Sequence, residues 1–295
     1  MSTTRTFRAM GTDCQVSVYG DASDALADLA LQRVELLEDC WSRFRPNSEL
    51  NRLNAQAGSG LVPASDDLRL LVEAMQAGWA WTDGLFDPTI LASMRAIGYD
   101  ADFTKVLARE FLLSVSVDAA PGMSGVVIND DAISLPTGIG IDPGAIGKGL
   151  AADVIVDELM NAGAQGVLVS LGGDIVIAGE PDDPQWSIAV VDERRDDDTA
   201  LTTLVWDAPV DRVAVATSTT LRRRWANGRH HVIDPRTGDV AQLELVQASV
   251  VAIDGWQAEV ATTAALLLGP VEGQAWLDAH GLQGYLLTAD ELVGV

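Results

Sequence analysis

Gly140–Asp153 reads GIDPGAIGKGLAAD: a turn on Asp142-Pro143-Gly144, small residues through Ala145 and Gly147, then Lys148 between two glycines. An apolar pattern from Leu150 to Met160 follows directly, so the segment is a loop feeding a helix. Amides at a helix start lack intrahelical acceptors, and the helix dipole adds positive potential, which together suit a phosphate. The chain has two lysines, Lys105 and Lys148, and one of them stands here. A plain strand-to-helix turn, using glycine for positive φ beside a solvated lysine, explains the same residues equally well.

Two familiar phosphate-binding folds are excluded by spacing. A P-loop needs glycine at the position of Asp142 and Ser or Thr at that of Gly149. The dinucleotide fingerprint fails because Gly138-Ile139-Gly140 is followed by Pro143 where a third glycine is required.

The fold must then be read from the flanking elements. Towards the N-terminus, Arg5–Arg8 and Asp13–Tyr19 read as strands about the Met10-Gly11-Thr12 turn, followed by helices at Asp24–Phe44, Ser48–Ala57 and Asp66–Trp81 and a shorter one from Pro88. Residues 100–125 are the least patterned part and are expected to form an irregular excursion. Short strands are expected at Val126–Ile128 and Ile133–Leu135, then at Gly166–Ser170 and Ile175–Ala178 across the Gly172-Gly173 break. Trp186–Val191 and Leu201–Trp206 read as a hairpin around the acidic tip Asp192–Asp198. Strands at Val213–Ala216, Arg229–Ile233 and Val246–Ile253, helices at Gln257–Leu268 and Val271–Ala279, and a strand at Gly284–Thr288 complete the chain. Helices and strands are mixed without regular alternation, and several neighbouring strands can pair as hairpins. The expectation is an α+β fold with largely antiparallel sheets flanked by helices. With no repeat, low-complexity tract or Pro/Gly-rich linker, residues 1–295 are expected to form one domain.

Composition narrows the partners. The 48% hydrophobic content and 21% charged content of these 295 residues are those of a folded protein. With 43 acids against 19 bases and a net charge of −24, the chain repels polyanions, which argues against nucleic acid and anionic membrane surface. An anionic substrate must then meet a local cluster of cations or a metal. Cys14 and Cys40 are too few for a disulfide framework or a zinc set, and read as packing residues. No secretory h-region or bilayer-length apolar run is present, so the expected location is cytoplasmic without membrane insertion.

Two further segments offer chemistry. His230 and His231 are adjacent, so in a strand they point to opposite faces and at most one serves a given site. Arg222, Arg223, Arg224 and Arg229 crowd beside them, either as a phosphate clamp or as a basic patch offsetting nearby acids. Glu259 and Thr263 share one helical face and offer oxygen to a hard cation such as Mg²⁺, although a capping carboxylate with a helix-facing threonine accounts for them equally.

Taken in order, these segments resemble the FAD:protein FMN transferase family, also called ApbE. The matches are Met10-Gly11-Thr12; Ser42, Phe44, Ser48 and Asn54 within WSRFRPNSELNRLN; GLFDPT at Gly84–Thr89; IDPGAIGKGLAAD; SLGGDI at Ser170–Ile175; ATS at Ala216–Ser218; HHVIDPRTG; and AEVATTA at Ala258–Ala264. The resemblance implies an enzyme that cleaves FAD, joins FMN by a phosphoester to a Thr or Ser of an acceptor protein, and releases AMP with Mg²⁺. By the same resemblance, Met10 and Phe44 border the flavin, and Leu85, Phe86 and Asp87 line the nucleotide site. Asp142 and Lys148 hold FAD, with the lysine charge towards pyrophosphate. The backbone oxygen of Ala145 and the side chains of Glu259 and Thr263 hold the metal, and His231 is the general base. FAD hydrolysis to FMN and AMP is the alternative enzymatic expectation, and a non-catalytic FAD-binding protein is a third. The chain makes two departures from the family pattern: Glu259 replaces its metal-binding aspartate, and Thr219 and Leu221 replace its glycine and aromatic residue after ATS.

Overall fold

The computed structural model describes residues 1–101, 103, 106, 118–195, 197, 199–225 and 229–293. Lys105, most of the expected excursion at 100–125, and Asp196 and Asp198 of the acidic tip lie outside the described residues. From the N-terminus run β1 (Ser2–Ala9), β2 (Thr12–Tyr19), α1 (Ser23–Trp41), α2 (Glu49–Ala55), β3 (Val62–Pro63), α3 (Asp66–Trp81), a 3-10 turn (Pro88–Ile90) and α4 (Leu91–Ala96). Then come β4 (Val127–Ile128), β5 (Ala132–Ser134), α5 (Gly147–Asn161), β6 (Gly166–Leu171), β7 (Asp174–Gly179), β8 (Gln185–Val191) and β9 (Ala200–Asp207). The chain continues through β10 (Val210–Thr219), β11 (Arg224–Trp225), β12 (Arg229–His230), β13 (Leu245–Ala252), α6 (Gly255–Ala279), β14 (Gln283–Thr288) and β15 (Leu292–Val293). This is the expected α+β class.

The residues gather into two compact units: Met1–Leu36 with Lys148–Arg222 and Glu244–Val295, and Leu37–Gly147 with Arg223–Leu243. The first unit holds an eight-stranded sheet in the order β1-β2-β6-β7-β10-β13-β14-β15. Each neighbouring pair in it is antiparallel. Two tight turns set its register. Met10 and Gly11 (φ 50 and 72) link β1 to β2, and Gly172 and Gly173 (φ 69 and 94) link β6 to β7. Positive φ at both central residues matches the right-handed strand twist. Glycine adopts that conformation freely, whereas Met10 does so at a cost of about 1 kcal/mol.

The expected β8–β9 hairpin packs Trp186, Ile188, Val190 and Leu204 against Ile177, Val215 and Tyr285 of the sheet. Ala214 and Ala216 point away from Val215 to the opposite face, and α6 packs on β10, β13 and β14. The two helices expected at Gln257–Leu268 and Val271–Ala279 are the two segments of α6, parted where Gly269 (φ 84) leaves helical geometry and Pro270 has no amide to donate.

The second unit carries α2, α3, α4, the small sheet β3-β5-β4, and the β11–β12 pair. Its α2 and α3 starts are capped: Ser48 Oγ accepts from Asn51 N–H, and Ser65 Oγ from Leu68 N–H. Met94, Ile97, Tyr99, Val106, Trp225 and Ile233 form a core, with the Trp225 indole donating to the Ile97 carbonyl at 3.2 Å. The strand expected at Arg229–Ile233 stops at His230, and Ile233 forms only an isolated bridge with Val240. The cause is the reversal at Asp234–Gly238, where Gly238 N–H closes on the Asp234 carbonyl at 2.8 Å.

Candidate functional site

In the first unit the charged residues converge because two helices approach through glycine. A Cβ on Gly149 would lie 2.3 Å from the Gly255 carbonyl oxygen, and one on Gly255 would lie 2.6 Å from that of Gly149. Glycine at both positions therefore lets the start of α5 meet the start of α6. Asp153 on α5 completes the junction, accepting from Gly255 and Trp256 N–H at 2.7 and 3.0 Å, and so caps α6.

One turn into α6, Glu259 reaches back to α5. Its Oε2 accepts from Gly149 N–H at 2.8 Å and its Oε1 from Lys148 Nζ at 2.5 Å. Asp174, at the first residue of β7, pairs with the same Lys148 ammonium, and Thr217 N–H donates to its other oxygen at 3.3 Å. The side chains of Asp174 and Glu259 are each 3% exposed and that of Lys148 is 19% exposed. Burial opposes the lysine charge, but the charges of Asp174 and Glu259 outweigh it and raise the Lys148 pKa. Glu259 is raised as well: burial and the Asp174 charge outweigh Lys148, because one ammonium serves two carboxylates. One amide expected to face a phosphate is thus already bound by a carboxylate of this chain.

Thr263 lies half-buried one turn beyond Glu259. Its neighbour Thr262 donates to the Glu259 carbonyl at 2.7 Å and pairs with the hydroxyl of Ser218 in the ATS stretch at 2.6 Å. Thr219, one of the two departures, accepts from Leu221 N–H and donates to the Val246 carbonyl, fixing the turn after β10. Met10 is half-buried at the β1–β2 turn. Arg222 pairs with Glu193 in this unit, while Arg223, Arg224 and Arg229 belong to the other.

In the second unit the organising charge is Arg43, which sequence reasoning missed. Its side chain is 7% exposed and its Nε lies 2.9 Å from Asp142 Oδ2, itself on a 2% exposed side chain. Arg43 Nη1 donates to the Tyr99 carbonyl at 2.6 Å, and its guanidinium lies 4.0 Å from the Phe44 ring centre and 4.4 Å from that of Tyr99. Asp142 Oδ1 accepts from Gly144 N–H at 2.8 Å, which shapes the turn of the glycine-rich loop. Asn54 clamps the preceding residue, accepting from Ile141 N–H at 2.8 Å and donating to its carbonyl at 2.9 Å. Asn51 holds the carbonyls of Arg43 and Arg45 at 2.9 Å each, fixing the turn that carries Phe44.

The other expected residues of this unit differ in access. Phe86 and Asp87 are buried and Leu85 is half-buried. Asp87 accepts from Thr89 N–H and Oγ1 at 2.8 and 2.6 Å, and its pKa is raised because burial outweighs those bonds. Ala145 is half-buried within the loop. His230 is buried, its Nδ1 accepting from Val232 N–H at 3.3 Å, and burial with the Arg224 charge lowers its pKa. His231, just past β12, is half-buried, so of the two it is the more accessible base.

Among the described residues no group of three or more His, Cys, Asp or Glu side chains is arranged to hold a metal, and no helix is long and apolar enough to cross a membrane. In the first unit, Glu259 and Thr263 offer one carboxylate and one hydroxyl. The donors are hard oxygens, and the first unit's cluster carries more anion than cation. Both features fit a hard divalent cation.

The ApbE family model matches residues 10–286. A FAD:protein FMN transferase of Treponema pallidum is 30% identical over 88% of this chain and 77% of its own length. One of Klebsiella pneumoniae is 26% identical over 91% and 83%. One of Rhodobacter capsulatus is 26% identical over 97% of this chain, which spans 55% of that longer relative. Among solved structures, the flavinyl transferase ApbE of Pseudomonas stutzeri aligns with a TM-score of 0.80 at 24% identity, covering 99% of this chain and 93% of that one. The ApbE protein of Thermotoga maritima aligns with a TM-score of 0.84 at 21% identity, covering 98% and 94%. These structural likenesses speak to the fold.

Proposed function

Because the chain belongs to the ApbE family, we propose that it is a flavin transferase that cleaves FAD and joins FMN through a phosphoester to a Thr or Ser of an acceptor protein, releasing AMP. Lys148 carries this reading: a buried ammonium fixed at a helix start by two carboxylates, inside the family's glycine-rich loop. Phosphoryl transfer asks for placed charge more than for covalent help. The lysine, held by Asp174 as well as Glu259, keeps its charge in place whichever partner Glu259 takes.

The remaining roles follow the family assignment. His231 takes the proton of the acceptor hydroxyl as its oxygen attacks the FMN-side phosphorus. The bond from that phosphorus to the bridging oxygen breaks, and AMP leaves. The Ala145 carbonyl, Glu259 and Thr263 are the residues that would hold Mg²⁺, which when bound neutralises charge on the pyrophosphate. Met10 and Phe44 border the flavin; Leu85, Phe86 and Asp87 line the nucleotide site; Asp142 contributes through the loop it shapes.

Incubation with FAD, Mg²⁺ and a flavinylatable acceptor domain, followed by mass spectrometry of the acceptor and an AMP assay, tests this. An FMN-sized mass gain that disappears with EDTA or in His231→Ala is expected. AMP without acceptor labelling would replace transfer by hydrolysis, and neither product would overturn the enzymatic reading.

A further inference from the structure

Among the described residues, Arg43 is the side chain that ties the Ser42–Pro46 turn to the glycine-rich loop by an ion pair, and nothing in the family match assigns it a role. Buried ion pairs stabilise weakly because desolvation offsets their attraction, so such a pair is better understood by what it positions. Here one end sets Asp142, whose other oxygen caps the Pro143-Gly144 turn. The other end lies under Phe44, a ring left 38% exposed and tilted at 49° to the buried Tyr99 ring, their centres 5.8 Å apart. The planar guanidinium thus fixes an accessible aromatic face and a phosphate-suited loop with a single rigid group. Lysine, a point charge on a flexible stem, cannot hold both.

We infer that Arg43 is a positioning residue for the flavin half of FAD: it fixes the Phe44 ring against the 142–147 loop, so that ring and phosphate contacts are presented at one set spacing. This rests on the flavin-transfer reading. It adds a specificity element, because a ligand with an isoalloxazine joined to phosphate would feel the spacing, whereas AMP, lacking the isoalloxazine, would not.

The experiment is titration of the full chain, in wild-type form and as Arg43→Lys and the charge-neutral double variant Arg43→Met/Asp142→Asn, with FAD and separately with AMP. Readouts are flavin fluorescence quenching, the visible absorbance shift of the isoalloxazine, competition by AMP, and thermal melting. Arg43→Lys is expected to melt near wild type, bind FAD about tenfold more weakly with a diminished absorbance shift, and bind AMP unchanged. The double variant, with no charge left buried alone, is expected to stay folded while losing the flavin shift. Either variant binding FAD with wild-type affinity and spectrum would overturn the inference and leave the transferase reading standing. An equal loss of FAD and AMP binding in both variants would overturn it too, since that is a general structural effect. Wild-type protein showing no flavin perturbation would overturn both the family reading and the inference.

Discussion

The two units solve the problem of a buried charge in opposite ways. In the second, Arg43 pairs among the described residues with Asp142 alone: one cation, one anion, both almost inaccessible. In the first, Lys148 is shared by Asp174 and Glu259, so two anions lean on one cation. The balanced pair has no surplus charge and acts as a brace. The unbalanced cluster is an incomplete one, in which burial and then the Asp174 charge raise the Glu259 pKa against the pull of the shared Lys148. Incompleteness of that kind is what an enzyme needs where a further positive charge is to arrive, and it separates groups that build a site from groups left to react.

Removing the shared cation should give the largest effect. Lys148→Met leaves two carboxylates buried with no ammonium, and breaking a buried pair in this way costs about 4 kcal/mol. In calorimetry at pH 7 a fall in Tm of about 10 °C is expected, shrinking at pH 5 where Glu259, whose pKa is raised, is more readily protonated. A variant that melts like wild type at both values would show that the lysine is not what holds the cluster.

The balanced pair should be nearly as sensitive. Asp142→Asn keeps an oxygen for Gly144 N–H but leaves the Arg43 guanidinium buried without its counter-ion, for a loss of about 3 kcal/mol. Adding Arg43→Met should recover much of that loss, since both charges are then gone. Chemical denaturation of the single and double variants measures the coupling directly. Additive losses would mean that the two side chains do not act as a pair.

How much of this was legible depends on how far apart in the chain the cause lies. The bounds of α3 were readable at Asp66–Trp81 because its signals are local: the Ser65 cap and the Thr82-Asp83-Gly84 turn. Strands β3, β11 and β15 were not: each has two residues and is set by the partner it meets, whereas β4, equally short, lay in a run of β-branched residues. The division into two units is not marked by composition: two of its four crossing points fall within α1 and after the first residue of α5, and the other two fall at Arg222–Arg223 and Leu243–Glu244. At the site, the SLGGDI motif pointed at Asp174 without its role, which comes from Lys148 on another element. Arg43 left no trace at all, because WSRFRPNS shows only one helix ending and another starting, while its partner Asp142 lies far along the chain. Glu259 was visible by family match, yet its hold on Gly149 N–H depends on a glycine-to-glycine approach that no local pattern encodes.

The smallest expected effect is the one that separates the two arrangements most sharply. Glu259→Gln removes the surplus anion and keeps an oxygen for Gly149 N–H. At pH 7 its stability should therefore stay within about 1 kcal/mol of wild type or rise, in contrast to the loss in Asp142→Asn. The pH profile gives the sign. Glu259 binds its proton more tightly folded than unfolded, so its contribution is full below the ordinary value of 4.5 and is lost as pH rises from there through the raised folded value. Wild type should lose stability over that interval and Glu259→Gln should lose less, as read from Tm at half-unit steps of pH. If the variant instead fell as far as Asp142→Asn at every pH, Glu259 would be a full partner of Lys148, and the first unit would hold no spare charge for a cation.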